Sequence, residues 1–252
     1  MSGQFEGRTV VVTGGSSGIG LAAAKAFAAA GARRIYITGR RQAALEAAAE
    51  EIGASAQAVQ ADAGDVAALG RLEKAITANG DRIDVLFANA GIAEKNRLGE
   101  TSEADFDRTF DVNVKGVFFT VQSLLPVLAD GAAVVLNASI VSGKGMPDLS
   151  LYSASKAAVR SLARSFASDL RARRIRVNAV SPGVTKTPIL ETGLKMSAEE
   201  FEGFSQYVAE AAPAGRVADP IEIAAAVLFL ASPAASYVNG VELAVDGGLA
   251  QV

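Results

Sequence analysis

The run Arg8-Thr9-Val10-Val11-Val12-Thr13 leads directly into the turn Gly14-Gly15-Ser16-Ser17-Gly18-Ile19-Gly20. The consecutive β-branched residues of the run are typical of a buried strand. Residues 21–30, an alanine-rich stretch that ends at Gly31, predict a helix. A glycine-rich turn between strand and helix exposes backbone N–H groups that stabilise a phosphate. The glycines at 14, 18 and 20 depart from the G-x-G-x-x-G spacing, so this turn alone is weak support for a dinucleotide site.

Strands and helices alternate along the rest of the chain. We predict strands at residues 33–38, 56–61, 83–88, 132–137, 175–180 and 240–245, and helices at 42–52, 103–128, 151–170 and 221–231. Such alternation favours a parallel sheet covered by helices on both faces. We therefore predict an α/β fold with a Rossmann-like, doubly wound sheet of about seven strands. Without repeats, linkers or low-complexity segments, residues 1–252 are interpreted as one domain.

Composition narrows the possible partners and location. Half of the 252 residues are hydrophobic and 20% are charged, which allows a large core. The net charge of −3 argues against nucleic acid and against an anionic membrane as main partners. The apolar run at residues 223–231 is too short for a membrane span of about 20 residues. No charged-then-apolar leader precedes Arg8, so we expect a cytoplasmic protein.

The absent residue types exclude several chemistries. The sequence contains no cysteine, which removes disulfides, thiol catalysis and cysteine-ligated metal sites. It also contains no histidine, so no triad with a histidine base is available. The segment Gly14-Gly15-Ser16-Ser17-Gly18 fits the G-x-S-x-G elbow of hydrolases, but that elbow needs a histidine. Any catalysis must therefore use tyrosine, lysine, serine or carboxylates.

Tyr152 and Lys156 stand four residues apart in a predicted helix and therefore project from the same face. We expect Asp148 and Ser150 to cap this helix. A free phenol has a pKa of about 10, and a neighbouring ammonium is expected to lower it into the range of proton transfer. Ser139 follows a strand, so its hydroxyl should emerge at the carboxyl end. In isolation, a tyrosine–lysine pair is more often a solvated surface pair.

Several polar and small residues directly follow predicted strands. They are the glycine turn, Arg40, Asp62, Asn89, Ser139 and Pro182. Because ligands of parallel α/β sheets bind outside the carboxyl ends of the strands, these residues should collect at one ligand-binding edge. The small residues after Asn89 let a ligand approach the backbone closely.

The end of the second strand predicts which dinucleotide is bound. An acidic residue there accepts hydrogen bonds from a ribose 2′-hydroxyl, whereas an arginine accommodates a 2′-phosphate. Gly39 occupies the acidic position, and Arg40 and Arg41 follow it, which favours NADP(H). Surface arginines at a helix start are the alternative interpretation, although cations are unfavourable there. Asp62 is interpreted as an adenine contact and Asp65 as a helix cap.

Together these features resemble the short-chain dehydrogenase/reductase family over nearly the whole chain. The matching segments are Thr13-Gly14-x-x-x-Gly18-Ile19-Gly20, Asn89-Ala90-Gly91, Pro182-Gly183 followed by Thr187, and Val245-Asp246-Gly247-Gly248. Asn113, Ser139, Tyr152 and Lys156 match the catalytic residues of the family. The cofactor site that follows comprises Gly14, Ser16, Ser17, Gly18, Ile19, Gly20, Arg40, Arg41, Asp62, Ala63, Asn89, Ala90, Gly91, Tyr152, Lys156, Pro182, Gly183, Thr185 and Thr187.

The resemblance implies an NADPH-dependent carbonyl reductase or secondary-alcohol dehydrogenase acting on small molecules without a metal. Tyr152 would protonate the nascent alkoxide, Lys156 would stabilise the phenolate, and Ser139 would bind the carbonyl oxygen. Asn113 would anchor water, although its apolar neighbours alone favour a structural role. The alternatives are an NAD-dependent alcohol or sugar dehydrogenase and a non-catalytic cofactor-sensing protein.

The last quarter of the chain carries predictions about substrate and assembly. Residues 188–213 are interpreted as a substrate lid with an apolar underside. Thr185 stands where the family often has an aliphatic residue, so we expect a slightly more polar pocket there. The helix at 221–231 is apolar almost all round and should be buried on more than one side. With the resemblance, it favours a homotetramer formed through this helix and the last strand.

Overall fold

The computed structural model describes residues 3–252 and contains one parallel sheet. Its strands are β1 (Thr9–Val12), β2 (Arg34–Gly39), β3 (Ala56–Gln60), β4 (Ile83–Ala88), β5 (Leu128–Asn137), β6 (Arg176–Pro182) and β7 (Glu242–Val245). Its helices are α1 (Gly18–Ala29), α2 (Gln42–Ile52), α3 (Val66–Ala78), α4 (Glu103–Phe110), α5 (Gly116–Leu124), α6 (Ser150–Asp169), α7 (Ile189–Thr192), α8 (Ala198–Ala211) and α9 (Pro220–Ala231).

The strand order β3-β2-β1-β4-β5-β6-β7 confirms the predicted doubly wound sheet of seven parallel strands. The chain starts in the middle, winds outward through β2 and β3, and returns to β4 to wind the other way. Phe27 of α1, Leu45 of α2 and Val227 of α9 belong to the core on one face. Leu72 of α3 and Val159 of α6 belong to the core on the other. Both faces are therefore covered, as parallel sheets require.

The predicted helix at 103–128 is wrong in two respects. It is interrupted by a π-helical turn, Asp111–Lys115, and it ends at Leu124. Pro126 explains the end, because proline lacks the N–H donor and clashes inside a helix. The chain then enters β5 at Leu128, four residues before the predicted strand start at residue 132. Ser102 begins α4 with a capping box completed by Asp105.

The cap of α6 also differs from the prediction. Neither Asp148 nor Ser150 caps it; the N-cap residue is Leu149, which contributes no side-chain bond. The side-chain oxygen of Asn96 instead accepts from the N–H of Leu151 at 3.0 Å. Because Asn96 lies more than fifty residues upstream, sequence spacing gave no hint of this cap. The cap predicted at Asp65 is confirmed, since its carboxylate accepts from the N–H of Ala67.

Two features near the end of the chain bear on the later argument. α7 and α8 lie within the predicted lid and follow the carboxyl end of β6. β7 pairs only with β6 among the described strands, so it forms one edge of the sheet. Within residues 3–252, no helix combines the length and the apolar character needed to cross a membrane.

Candidate active site

The glycine turn forms a tight cradle at the N-terminus of α1. A Cβ on Gly20 would overlap the carbonyl oxygen of Gly14, so the turn closes to a distance that only glycine allows. Gly14 and Gly18 have φ values of +65° and +54°. Ser17 is the N-cap residue and makes no side-chain bond to the helix, which leaves the first N–H groups available to a ligand. This cradle fits a pyrophosphate.

Asn89 joins the glycine turn to the middle of the sheet. Its side-chain nitrogen donates to the carbonyls of Thr13, at 3.0 Å, and Gly14, at 3.3 Å. Thr13 Oγ1 in turn accepts from the N–H groups of Asn89 and Ala90. Asn137, at the end of β5, donates to the Asn89 side chain at 2.9 Å. Three strand ends are thus fixed relative to one another.

Lys156 lies beside this junction in a buried position. Its ammonium donates to the backbone carbonyl of Asn137 at 2.7 Å. A Cβ on Gly91 would stand 3.4 Å from Lys156 Nζ and 3.2 Å from Asn113 Oδ1, so glycine makes room for both side chains. Burial lowers the pKa of Lys156 to about 8. The lysine is therefore held at the catalytic edge and not in solvent.

Tyr152 and Ser139 face each other across the carboxyl end of β5. The Ser139 side chain lies close enough to the phenol to lower its pKa, and Lys156 Nζ lies 5.7 Å from the centre of the phenol ring. Burial raises the pKa of Tyr152, and the Ser139 side chain opposes that rise. The predicted lowering of the phenol pKa is therefore wrong in this structure, since burial is the largest effect on it. Geometry brings the three predicted residues together and keeps the phenol protonated.

Asn113 occupies the π-helical turn and is fully buried. Its side-chain oxygen accepts from the N–H of Ile92 at 2.8 Å. Its amide nitrogen donates to the carbonyl of Ile92 at 2.9 Å and to Ser155 Oγ at 3.0 Å. Both amide hydrogens are engaged, so the side chain positions the neighbouring loop and α6. π-Turns are frequent at functional sites, and this one places Asn113 at the edge.

The predicted ribose end lies at the carboxyl end of β2. A Cβ on Gly39 would stand 3.1 Å from Ser16 Oγ, so the glycine turn and β2 meet there. Arg40 and Arg41 are exposed, and neither forms an ion pair with any residue in 3–252. α2 begins without a side-chain cap and without an acid in its first turn. This corner fits an anionic group.

The remaining predicted contacts fall around this edge. Asp62 accepts from the N–H of Gly64 at 2.9 Å, and Ala63 beside it is buried. Pro182 ends β6. Thr187 lies against the glycine turn, with its Cβ 3.3 Å from the place that a Cβ on Gly18 would take.

Thr185 corrects one prediction about the pocket. Its hydroxyl donates to the carbonyl of Gly183 at 3.1 Å, and the residue is buried. The hydroxyl is directed back to its own turn, so the extra polarity expected beside the ligand is absent. Its backbone bridges to Ala218, which anchors the base of the lid.

Sequence reasoning missed three residues that hold the site. Thr13 and Asn137 connect the strand ends, and Ser155 joins Asn113 to α6. Asn137 is the last residue of β5, so the rule that places site residues just after strands would have found it only if extended to the strand ends themselves. Ser155 had no such signal, because its partner lies 42 positions away.

Seven parallel strands, a glycine cradle and a serine–tyrosine–lysine group at the carboxyl edge define a dinucleotide-binding oxidoreductase of the Rossmann type. A family model described as enoyl-(acyl carrier protein) reductase matches residues 14–250. Galactitol 2-dehydrogenase (L-tagatose-forming) of Cereibacter sphaeroides is 42% identical, over 97% of this chain and 96% of its own.

Two solved structures from Brucella melitensis are also similar. A short-chain dehydrogenase/reductase titled glucose/ribitol dehydrogenase has a TM-score of 0.93 and 33% identity, with both chains fully covered. A 3-ketoacyl-(acyl-carrier-protein) reductase complexed with NADH has a TM-score of 0.87 and 35% identity, covering 98% and 99%. The chain belongs to the short-chain dehydrogenase/reductase family of nicotinamide-dependent oxidoreductases, which act on alcohol and carbonyl groups.

Proposed function

We propose that this chain is an NADPH-dependent carbonyl reductase, or secondary-alcohol dehydrogenase in the reverse direction. The observation that carries the proposal is the meeting of Ser139, Tyr152 and Lys156 at the edge that holds the glycine cradle. An oxidoreductase of this family needs a proton donor, a carbonyl-oxygen ligand and a place for the dinucleotide. These residues supply all three.

The proposed mechanism divides the work between cofactor and chain. Bound NADPH supplies the hydride that reduces the carbonyl carbon. Ser139 donates a hydrogen bond to the carbonyl oxygen, where negative charge develops. Tyr152 gives its phenolic proton to that oxygen as it becomes an alkoxide. Lys156, held by Asn137, stabilises the resulting phenolate, and Asn113 fixes the surrounding loop.

The cofactor would lie along the carboxyl edge of the sheet. In this proposal the glycine turn, Gly14 to Gly20, holds the pyrophosphate. Asp62 and Ala63 contact the adenine, and Asn89, Ala90 and Gly91 approach the middle of the dinucleotide. The nicotinamide end is contacted by Tyr152, Lys156, Pro182, Gly183, Thr185 and Thr187. No metal is required.

The preference for NADPH is supported by the corner at β2. A Cβ at position 39 would lie 3.1 Å from Ser16 Oγ, so an aspartate side chain there would fill the space between β2 and the glycine turn. Glycine leaves that space open to a phosphate. The bare start of α2 and the exposed guanidinium groups of Arg40 and Arg41 add positive potential.

The protonation state of Tyr152 is compatible with the role of proton donor. A proton donor must hold its proton until charge develops on the substrate. Burial raises the pKa of Tyr152, so the phenol is protonated at neutral pH.

An NAD-dependent alcohol or sugar dehydrogenase is the second candidate. It is favoured by the similarity to galactitol 2-dehydrogenase and to a reductase structure complexed with NADH. A non-catalytic cofactor sensor is the third, and it is disfavoured because all four predicted catalytic residues are present and adjacent.

One assay separates these candidates. The purified protein is given a panel of ketones, aldehydes and secondary alcohols with each of the four nicotinamide cofactors, and absorbance at 340 nm is followed. We expect ketone reduction with a kcat/KM at least about tenfold higher for NADPH than for NADH. A preference for NAD⁺ with polyols would establish the second candidate. Binding of NADPH without turnover on the whole panel would support the sensor.

We extend the proposal to organisation and assembly. Residues 1–252 form one catalytic domain whose lid is 188–213; residues 1 and 2 lie outside the described residues. A homotetramer is built through β7 and α9, supported by the edge position of β7 and by exposed apolar side chains on α9. The cytoplasmic location stays a prediction from the sequence.

A further inference from the structure

An apolar cluster closes over the phenol of Tyr152. The lid helix α8 contributes Phe204 and Val208 to this cluster. Val184 joins it from the segment after β6, and Leu249 joins it from the C-terminal turn. The Tyr152 side chain thus packs against hydrocarbon from the lid, from the segment after β6 and from the C-terminal turn. We call this set the phenol cluster.

The polar side chains near the phenol cluster are occupied elsewhere. Glu94 and Arg108 form an ion pair at 2.6 Å on the opposite wall. The Lys144 ammonium donates to the backbone carbonyl of Leu249 at 3.2 Å. Thr185 donates to its own turn. The buried hydroxyls of Ser153 on α6 and Ser205 on α8 have no hydrogen-bond partner within the described residues, so a substrate with several hydroxyl groups would leave most of them unpaired.

The lid also reaches the opposite wall. Gly193, at the end of α7, packs so closely on the carbonyl oxygen of Ala93 that a Cβ there would overlap it. This contact holds the end of α7 against the opposite wall. A substrate that enters between the lid and Tyr152 meets the apolar side chains of the phenol cluster, and its own surface must replace their apolar contacts.

We infer, on the basis of the proposed function, that the substrate is a ketone whose reacting carbon carries hydrocarbon groups, such as a ring or a branched chain. A polyol or a hydroxylated sugar would bury hydroxyls without hydrogen-bond partners. Specificity is set by the phenol cluster, with Val184 and Phe204 as the residues that contact the substrate's apolar part.

The test uses two ketones of nearly equal shape, 4-methylcyclohexanone and 4-hydroxycyclohexanone. We expect the methyl compound to have a kcat/KM about 10²-fold higher, the usual discrimination between isosteres in an apolar pocket. Val184→Thr adds a hydroxyl without changing shape and should reduce this ratio about tenfold. Val238→Thr is the matched control, because Val238 packs in the core on the other face, and its ratio should equal that of the wild type.

Binding is measured separately by saturation-transfer NMR competition in the presence of NADP⁺, so the inference does not depend on turnover. Stronger binding of the methyl compound without turnover would uphold the substrate class while refuting the proposed function. Equal or stronger binding of the hydroxyl compound would overturn the substrate class, whether or not the chain reduces ketones.

A second, independent observation concerns Ser155. Its side chain is fully buried, accepts from Asn113 Nδ2 at 3.0 Å and donates to the backbone carbonyl of Tyr152 at 2.7 Å. One hydroxyl therefore joins the π-turn to the first turn of α6, which carries the phenol. We infer that Ser155 is a positioning residue that sets the register of Tyr152 against Asn113.

Ser153 provides a matched control two positions away. Its hydroxyl oxygen is buried and has no hydrogen-bond partner within the described residues. We expect Ser155→Ala to lower kcat about ten- to hundredfold with KM nearly unchanged, because small displacements of a catalytic group cost that much. Ser153→Ala should leave kcat unchanged. Ser155→Cys, which fills the same space with a weaker hydrogen-bonding group, should give an intermediate kcat.

A purely structural role predicts something different. In that case Ser155→Ala lowers the Tm but, assayed well below that Tm, keeps the kcat of the Ser153→Ala variant. That result would overturn the inference. If Ser155→Ala does not fold, the Ser155→Cys variant decides: wild-type kcat refutes the positioning role and a reduced kcat with unchanged KM upholds it.

Discussion

Tyr152 is the residue on which the proposed chemistry depends. Tyr152→Phe removes the transferable proton and leaves the ring in the phenol cluster. We expect kcat to fall by about 10²–10⁴-fold, the usual contribution of general acid–base catalysis. Stopped-flow or steady-state NADPH oxidation measures the loss, while NADPH affinity measured by calorimetry should be retained. Tyr237→Phe is the control, since Tyr237 is fully exposed. Near-normal turnover in Tyr152→Phe would refute the role of Tyr152 as the proton donor.

Arg40 is the residue that should read the 2′-phosphate. Because the contact is charge-assisted, Arg40→Ala should raise the KM for NADPH about tenfold or more and leave the KM for NADH nearly unchanged. Arg71→Ala, an exposed arginine on α3, is the control for a general loss of positive charge. Equal losses with both cofactors would show that Arg40 does not contact the phosphate.

Residues of the site differ in how far the sequence reveals them. Tyr152 and Lys156 are four apart in a helix, and Ser139 follows a strand, so local periodicity places all three. Asn96 and Ser155 act on partners far along the chain, and only the fold brings those together. The pKa of Tyr152 was predicted in the wrong direction because burial, which the sequence does not reveal, is the largest effect on the phenol.

Among the elements, the lid is constrained by a close backbone contact. Gly193→Ala places a methyl group against the carbonyl oxygen of Ala93 and should hold α7 away from the opposite wall. We expect a severalfold higher KM for the ketone and a lower kcat, as closing loops often affect both. Gly203→Ala is the control within the same lid, since no atom lies within 4 Å of a Cβ there. Identical kinetics of the two variants would show that the contact with Ala93 does not serve closure.

At the amino ends of the strands, opposite the proposed active site, the carboxylate of Asp81 links β2 to the loop before β4. It accepts from Arg33 at 2.5 Å and from Tyr36 at 2.7 Å, and Arg34 lies 3.2 Å away. Desolvation raises the pKa of this carboxyl, but the bonds from Tyr36 and Arg33 and the charge of Arg34 together hold it below its usual value. The folded state therefore gains stability from ionised Asp81.

The direction of that shift fixes its pH dependence. A carboxyl with a lowered folded pKa stabilises above its unfolded pKa, about 3.9, and loses that contribution as pH falls through the folded value. Asp81→Asn should lower the free energy of unfolding by roughly 1.5–3 kcal/mol at pH 7, and the difference from wild type should shrink toward pH 3. Urea denaturation at both values measures it. Asp130→Asn, an exposed partner of Arg173, should show a smaller loss; a pH-independent difference for Asp81→Asn would contradict the argument.

The sequence predicted the order of the strands and helices, but it did not always predict the residues at which they begin and end. Strand–helix alternation predicted seven parallel strands because each run is short, apolar and followed by a turn. The prediction of one helix over residues 103–128 was wrong because the apolar pattern continues through Pro126. Hydrophobic periodicity alone does not show where a helix ends. The π-turn at Asn113 is set by its bonds to Ile92 and Ser155, partners that lie outside that helix.

On the scale of the whole molecule, the carboxyl ends and the amino ends of the strands contribute differently: the former to the proposed chemistry, the latter to stability. The carboxyl edge carries the glycine cradle, the proposed catalytic residues and the proposed lid, while the Asp81 network stabilises the amino edge. Substitutions at Asp81 should therefore lower the free energy of unfolding without changing kcat. Substitutions at Ser139 or Tyr152 should lower kcat without changing the free energy of unfolding. The edge strand β7 belongs neither to the proposed active site nor to the Asp81 network, so it is available for contact with another copy of the chain.

The last prediction concerns this edge strand. Ile221 and Phe229 on α9 are 56% and 43% exposed, and Val241 before β7 is 38% exposed, although α9 packs its other face on α1. Such apolar exposure beside an open strand edge is expected to be covered by a second copy of the chain. Light scattering at micromolar concentration should give the mass of a tetramer, and Phe229→Asp should reduce it. Leu98→Asp, which changes an exposed leucine in the loop before α4, should keep the tetramer. A monomeric wild type would refute the assembly, and dissociation by Leu98→Asp alone would place the interface elsewhere.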